Sequence, residues 1–550
     1  PGSFPGKKRS KLLEQLRSGV YRFLTPLPSG DRSMKCHRKP SPRIRRFTVI
    51  LWGLAVISGN RCLAAESPPE GPFRAGFAER DISPDLGMEK PGGYGKSYHR
   101  SFHDPCKVRA AVFDDGTSRV ALVGIDALTI ERPTVLAVRK KIFQSTGIEE
   151  NAVLLAASHS HSSGPMSFIM PGDFDHSPDW IQDLAYKKST CADPKYLERV
   201  ERMIVEAVVA ADKRRAPCKA GVGSGHASEV AFNRRFRMRN GHTVTHPRQV
   251  NPDIVEVAGP VDPEVGVIGV WDTDGTLSGC IVNFACHATT NPGGVSANYV
   301  YYVEQVIRGM FGEEAIVVFL NGASGDVTQV DNQSPHAMRR GEAMARFVGG
   351  RVGAEAVKVL LSMEPGQLVP LAAKQRVLQI SRRLPNPKRV EQCRELVRQE
   401  AKAVGATSWT FAKEIVMLDE RIKKQPIVDV EVQVVQVGPA VFVTNPAEYF
   451  CQYGLDIKAG SPFEFTYPVS LANGCVGYVP TEEALAPGGG GYETRLTSYS
   501  NLNVSAGRLL RDTGLELTRH LTPGPTPSRP SIGPFQGEVW SYGNALPEVD

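Results

Sequence analysis

The chain has 550 residues, 41% of them hydrophobic and 22% charged, a composition that excludes a disordered, collagenous or polytopic membrane protein and supplies more than one hydrophobic core. Its formal charge of +7 does not point to nucleic acid, because residues 1–65 hold 14 of the 65 Lys and Arg against only Glu14 and Asp31 as acids. The rest of the chain is acidic overall, which gives DNA or RNA no electrostatic reason to bind.

In chain order, the first signal is export. Arg43, Arg45 and Arg46 precede the uncharged run Phe47 to Ser58 and the small-residue stretch Leu63-Ala64-Ala65. A basic segment, a short apolar segment and small residues make a signal peptide cleaved near Ala65, with a periplasmic, cell-envelope or extracellular product. The apolar run is too short to span a bilayer. Met34 stands just before the basic stretch, so residues 1–33 read as an upstream extension or a gene-model error; for the apolar run, a retained N-terminal anchor is the other reading. Export permits disulfides, yet the eight cysteines beyond residue 65 show no CxxC spacing, and their pairing is not legible.

Beyond a Pro/Glu-rich joint at 66–72, apolar runs alternate with helical patterns. Residues 118–126 and 151–158 read as strands around a helix at 132–146, a βαβ unit. A helix at 194–214, strands at 265–270 and 278–286, a helix from Tyr301, a strand at 314–320 and a long helix at 336–361 follow. A second block has strands at 368–381, 427–437 and 440–445 around a charged helix at 387–404. A last helix at 504–520 runs into a Pro/Gly/Ser tail, read as flexible from 522 to 550. The expected fold is α/β: a mostly parallel, doubly covered sheet with a smaller mixed C-terminal block. Ligand sites of such sheets lie beyond the carboxyl ends of the strands.

Those ends carry the chemistry. His159-Ser160-His161 follows the run NAVLLAAS, Cys286-His287 closes IVNFAC, and AVFVTN leads into Pro446-Ala447-Glu448. Two histidines and a carboxylate from three strand ends match a catalytic zinc site that leaves a position open for water. Other signals are weaker. The turn Asn321-Gly-Ala-Ser-Gly-Asp326 could cradle a phosphate, predicting phosphatase activity, but lacks the Gly-Lys-Ser/Thr ending of a P-loop. Arg234, Arg235, Arg237 and Arg239 read as a solvated basic face, and Gly488 to Gly491 as a mobile loop. No Gly-x-Ser-x-Gly elbow is present, which disfavours a serine hydrolase.

The order and wording of AGFAERDISP (75–84), FHDPCKVRAAVF (102–113), ASHSHSSGP (157–165), AFNRR (231–235), NGASGDV (321–327), NPAE (445–448), NGCVGYVPT (473–481) and GGYE (490–493) resemble the neutral, non-lysosomal ceramidase family, in its divergent bacterial branch, over residues 73–500. The resemblance implies a ceramidase-like zinc amidohydrolase domain there, a C-terminal helix at 501–521, and His159, His287, Glu448 and Tyr478 as zinc ligands. It further implies His161 as the proton-handling imidazole, Arg234 as a substrate contact and Tyr492 as an oxyanion or substrate contact. The family's C-terminal immunoglobulin-like domain is not expected, since too little chain follows Tyr492. Departures are Thr328 where the family has a serine, Cys475 where it has a tyrosine, and Asn298 where many relatives have an aspartate. Cys475 lies three residues from Tyr478 and, as a thiolate, is the rival fourth ligand.

The reading is an exported zinc-dependent amidohydrolase that cleaves an N-acyl amide, ceramide-like or other, with metal-activated water, and Thr328 as a hydrogen-bonding side chain beside the substrate. Its partner is a small-molecule or lipid amide, with peripheral contact to a membrane surface and no nucleic acid; the oligomeric state is open. The alternative is a non-catalytic secreted domain that binds a lipid or glycan on the same fold, and turnover on amides separates the two.

Overall fold

Strands form where buried apolar runs are interrupted by tight polar turns. Arg74–Asp81 (β1), Lys107–Asp114 (β2), Arg119–Ile125 (β3), Val153–Ala157 (β4) and Ala216–Pro217 (β5) build a first sheet in the order β4-β3-β2-β1-β5. The protein is described here from a computed structural model, which covers residues 73–534 together with 536, 537, 542 and 546–549; the expected extension and signal peptide lie outside the described residues. Helix α1 (Arg132–Thr146) carries a proline in its first turn and stops at Gly147, whose φ of 70° lets its N–H reach Phe143 O. Helix α2 (Pro194–Lys213) is capped by the Asp193 carboxylate, which accepts the Tyr196 N–H at 2.9 Å. Both helices cover the outer face of this sheet.

A second sheet, β9-β8-β7-β6, comprises Lys219–His226 (β6), Glu264–Trp271 (β7), Leu277–Phe284 (β8) and Ile316–Asn321 (β9). It faces the first sheet so closely that a Cβ at Gly124 would stand 2.5 Å from Phe319 O, a distance only glycine permits. Tyr299–Phe311 (α3) and Gly341–Ser362 (α4) close its other face, giving four layers, helix on sheet on sheet on helix. A third sheet, β10-β11-β12-β13, is formed by Leu371–Ser381 (β10), Ile427–Val437 (β11), Ala440–Thr444 (β12) and Phe465–Val469 (β13). Helices Pro387–Val397 (α5) and Ala406–Lys424 (α6) are inserted between β10 and β11; Cys451–Gly460 (α7) precedes β13, and Ala506–Arg519 (α8) packs on the sheet. This sheet meets the edge of the first through Gln433, whose Nε2 donates to Asn151 O at 2.8 Å, and Asn473, whose Oδ1 accepts the Leu155 N–H at 3.0 Å. All eight described cysteines are free thiols, and among the described residues no helix is long and apolar enough to cross a membrane.

The structure corrects the expected mostly parallel sheet. Each sheet is mainly antiparallel and holds one parallel pair: β3–β4, β8–β9 and β12–β13. A strand buried on both faces looks the same in either pairing, and the direction is set by the turns. Asp115 Oδ1 accepts the Thr117 and Ser118 N–H groups at 2.9 and 2.7 Å, and Asp272 Oδ1 accepts those of Asp274 and Thr276 at 3.0 and 2.8 Å, which folds β2–β3 and β7–β8 into hairpins. The helix expected at 387–404 ends at Val397, and α6 went unpredicted because it buries Lys413, Glu414 and Glu420, which break its apolar stripe. The helix expected from 336 starts at Gly341.

The tail is not free from 522 onward. Thr522 O accepts the Gln436 side-chain amide at 2.7 Å, Gly524 N–H reaches Gly438 O at 3.1 Å, and Arg529 pairs with Glu364. Truncation after Leu521 is therefore expected to lower the melting temperature by a few degrees, because the buried Gln436 amide loses a partner worth about 1–3 kcal/mol. Truncation after Ser531 is expected to leave it unchanged in scanning calorimetry.

Candidate metal centre

The site is assembled where the parallel pairs end. After β4 the chain turns at His159, whose φ of 63° is a left-handed conformation costing a non-glycine residue about 1–3 kcal/mol and maintained only by its surroundings. Those surroundings are main-chain bonds: Ser160 N–H to Ala127 O at 3.0 Å and His161 N–H to Ala288 O at 3.2 Å. His159 Nδ1 lies 2.9 Å from Leu128 O, just beyond β3. His287, beyond β8, repeats the arrangement with Nδ1 at 2.7 Å from Ser324 O, just beyond β9. Glu448 and Tyr478 face one another in a two-residue parallel pairing, so they share a side.

A main-chain carbonyl can only accept, so both Nδ1 atoms carry a proton, and in the neutral imidazoles both Nε2 atoms present lone pairs. Those lone pairs converge on one carboxylate oxygen: Glu448 Oε2 lies 3.3 Å from His159 Nε2 and 3.2 Å from His287 Nε2. His161 Nε2 is 3.2 Å from His159 Nε2, and ligand atoms of the three histidines all lie within 4.8 Å of one another. Buried acceptors at such distances repel unless a cation lies among them, and this donor set fits a divalent metal ion. Burial pushes the His287 imidazole down to about 4, with Arg234 adding to the effect, and burial with His159 and His287 holds His161 well below its ordinary value. Burial alone would raise the Glu448 carboxyl, but the positive charge that His159 and His287 can present to it outweighs burial and holds it well below the usual carboxylate range, the service a bound cation would give in their place. Neutral imidazoles beside an ionised carboxylate are the protonation states a metal requires.

Tyr478 reaches the same point, its hydroxyl 3.4 Å from His287 Nε2 and its ring near parallel to the imidazole. Cys475 does not: its thiol lies outside the histidine cluster, against Thr129 and Glu131, and lines a cleft of about 530 Å³ with Arg132, Pro446 and Val476. Arg234 is buried rather than solvated, donating to Glu493 at 2.6 Å, Gly325 O at 2.8 Å and the Tyr478 hydroxyl at 3.0 Å. Arg235 is buried as well, Arg237 is half-buried and paired with Glu256 and Glu483, and Arg239 alone of the four is exposed. The glycine run is a tight wrap rather than a mobile loop, with Gly490 O accepting from Arg235 at 2.7 Å and Gly491 at φ 98°.

The Asn321–Asp326 turn is no phosphate cradle. Its Gly322 and Gly325 N–H groups are bonded to Phe284 O and Tyr449 O, while its carbonyls hold His287 and Arg234. Thr328 is buried at its end, its hydroxyl accepting the Val330 N–H at 3.3 Å. Asn298, at φ 65°, accepts from Thr290 at 2.5 Å and donates to Ser160 Oγ at 3.3 Å, so it braces the His159–His161 segment. Tyr492 packs edge-on to Tyr478 and near Tyr499, whose hydroxyl donates to Tyr94 at 2.8 Å. Sequence reasoning missed Glu493, Tyr94, Tyr499 and Gly92. Glu493 stood in the GGYE motif beside the chosen Tyr492. A Cβ on Gly92 would meet His161 Nδ1 at 2.3 Å, a contact with no local signal.

The chain resembles known proteins in sequence and in fold. The chain is 28% identical over 251 residues to the neutral ceramidase of Pseudomonas aeruginosa, a match covering 44% of this chain and about a third (34%) of that relative's length. Two solved structures share the fold: a ceramidase complexed with C2 (TM-score 0.60, 18% identity, 84% of this chain and 77% of that one) and the neutral ceramidase of Pseudomonas aeruginosa (TM-score 0.58, 19% identity, 84% and 76%). No family model matches the chain. The chain is thus a divergent, neutral ceramidase-like protein.

His287→Ala is expected to remove most bound metal, since three protein ligands leave little redundancy, whereas His161→Ala, which breaks no carbonyl tether, retains it. Elemental analysis of dialysed protein checks both.

Proposed function

We propose that this neutral ceramidase-like protein is an exported, zinc-dependent amidohydrolase that cleaves the linear amide of an N-acyl substrate with an activated water. The carrying observation is the pair of imidazoles whose Nδ1 protons are fixed by Leu128 O and Ser324 O while both Nε2 atoms face Glu448 Oε2. His159, His287 and Glu448, joined by Tyr478, would hold zinc, which supplies a Lewis acid and brings the ionisation of water toward neutral pH. The relative's name points to an amide, and the metal-ligand set points to hydrolysis of it.

The protein's own groups do the rest. His161 has no carbonyl on Nδ1 and packs against Gly92, so it is the imidazole free to accept a proton from the attacking water and return it to the leaving amine. Arg234 spends its donors on Glu493, Gly325 O and Tyr478, which makes it a brace for the Tyr478 hydroxyl before it is a substrate contact. Tyr492, between Tyr478 and Tyr499, is the hydroxyl available to the oxygen that gains negative charge. Beside it the cavity lined by Gly92, Tyr94, Phe168 and Tyr499 holds only about 30 Å³, room for one water, so an acyl chain enters after the segment carrying Gly92 and Tyr94 moves.

Thr328 tests the route of attack. Its β-methyl restricts χ1 and makes it a poor nucleophile, and its hydroxyl already serves the turn. Thr328→Ala is expected to lower turnover of N-acyl amides by less than about a hundredfold, and His159→Ala to abolish it. A covalent acyl-enzyme on Thr328 in mass spectrometry would overturn water attack, and wild-type protein that binds amides without turnover would favour the binding-domain alternative.

A further inference from the structure

Beneath the metal centre the three parallel pairs leave a second feature. Among the described residues, eight buried side-chain polar atoms lack a hydrogen-bond partner; four are guanidinium nitrogens of arginines. The other four, Ser158 Oγ, Asn321 Oδ1, Asn445 Nδ2 and Ser470 Oγ, all belong to strand ends that carry or support the ligands. Each of these residues is at most 2% exposed. Main-chain bonds bring the chain segments of these residues to one junction: Ser470 N–H to Asn321 O at 2.9 Å, Asn445 N–H to Val469 O at 2.9 Å, and Ala157 N–H, beside Ser158, to Leu471 O at 3.1 Å. A buried donor or acceptor left unpaired costs about 1–3 kcal/mol, so four on adjoining strand ends call for a partner beyond the protein's own groups.

We propose that this junction is a binding site for an internal water that ties together the ends of β4, β9, β12 and β13, which carry or support the ligands. The chemistry selects water over a cation. Asn445 Oδ1 already accepts the Ala447 N–H at 3.2 Å, which leaves the buried NH2 group to be satisfied, and its hydrogens would oppose a positive ion. Water accepts from Asn445 Nδ2, donates to Asn321 Oδ1 and uses its remaining valences on the two serine hydroxyls, the two to four bonds a buried water makes.

Three of the partners lead to a ligand, and the fourth, Ser470, is tied to one of these by its N–H to Asn321 O. Ser158 adjoins His159. Asn321 Nδ2 donates to Ser324 Oγ at 3.2 Å, and Ser324 O holds His287. Asn445, through Ala447, precedes Glu448. Asn445, Asn321, Ser158 and Ser470 are thus positioning residues, acting on the site through the main chain. That consequence rests on the metal reading above; the water site does not.

Two measurements on the full chain decide the matter. A high-resolution crystal structure is expected to show an ordered water within about 3 Å of at least three of the four atoms; direct contacts among these side chains with no density between them would overturn the proposal. In competition titration with zinc alone, Asn445→Ala is expected to weaken zinc binding about 10–100-fold, the scale for residues that orient ligands. Unchanged zinc affinity in that variant would overturn the positioning role. Should Asn445→Ala fail to fold, Ser470→Ala, which removes one hydroxyl, carries the same comparison with a several-fold loss expected. Wild-type protein that binds no zinc would refute the metal reading instead, and the water density then decides the inference by itself.

Discussion

Three lone-pair groups forced together in a buried pocket are the constraint on which the rest of the structure depends. His159 Nε2 and His287 Nε2 stand 3.3 and 3.2 Å from Glu448 Oε2, and the Nδ1 proton of each imidazole is committed to a main-chain carbonyl. Such an arrangement is unfavourable unless a positive charge sits among its members, and taking a carboxylate out of water is costly without one. A left-handed backbone at His159, the Asn298 brace and the buried Arg234–Glu493 pair are the local means by which the fold imposes it.

The fold meets this constraint through its three parallel pairs. In each, one strand delivers a ligand and its neighbour delivers the group that fixes it. His159 follows β4 and is held by Leu128 beyond β3; His287 follows β8 and is held by Ser324 beyond β9. Glu448 follows β12, where Ala447 O accepts the Leu471 N–H from beyond β13. Parallel neighbours end at the same side, which hairpin partners do not, so one parallel pair in each antiparallel sheet is what brings six chain ends to one point.

Much of this was legible in the sequence. Long buried runs such as VALVGI and IVVFLN marked their strands, and polar residues placed directly after them marked the site, so His159, His161, His287 and Glu448 were found as strand ends. Pairing direction was not legible, since β-branched runs buried on both faces read alike in either sheet type. Helix α6 was masked by Lys413, whose ammonium is buried against Tyr94 O and Ser189. Arg234 looked solvated because its partners, Glu493 and Gly325, are far away in sequence. The choice between Tyr478 and Cys475 likewise needed the third dimension: in register with Glu448, Tyr478 faces His287, while Cys475 turns to the neighbouring cleft.

Zinc K-edge absorption spectroscopy on the zinc-loaded protein tests the centre most directly, because it reads the ligand set itself. The expected spectrum is a shell of nitrogen and oxygen at about 2.0–2.1 Å with the multiple scattering of two imidazoles. A sulfur scatterer at about 2.3 Å would place Cys475 on the metal against the geometry described here, and a protein that takes up no zinc would contradict the metal centre altogether.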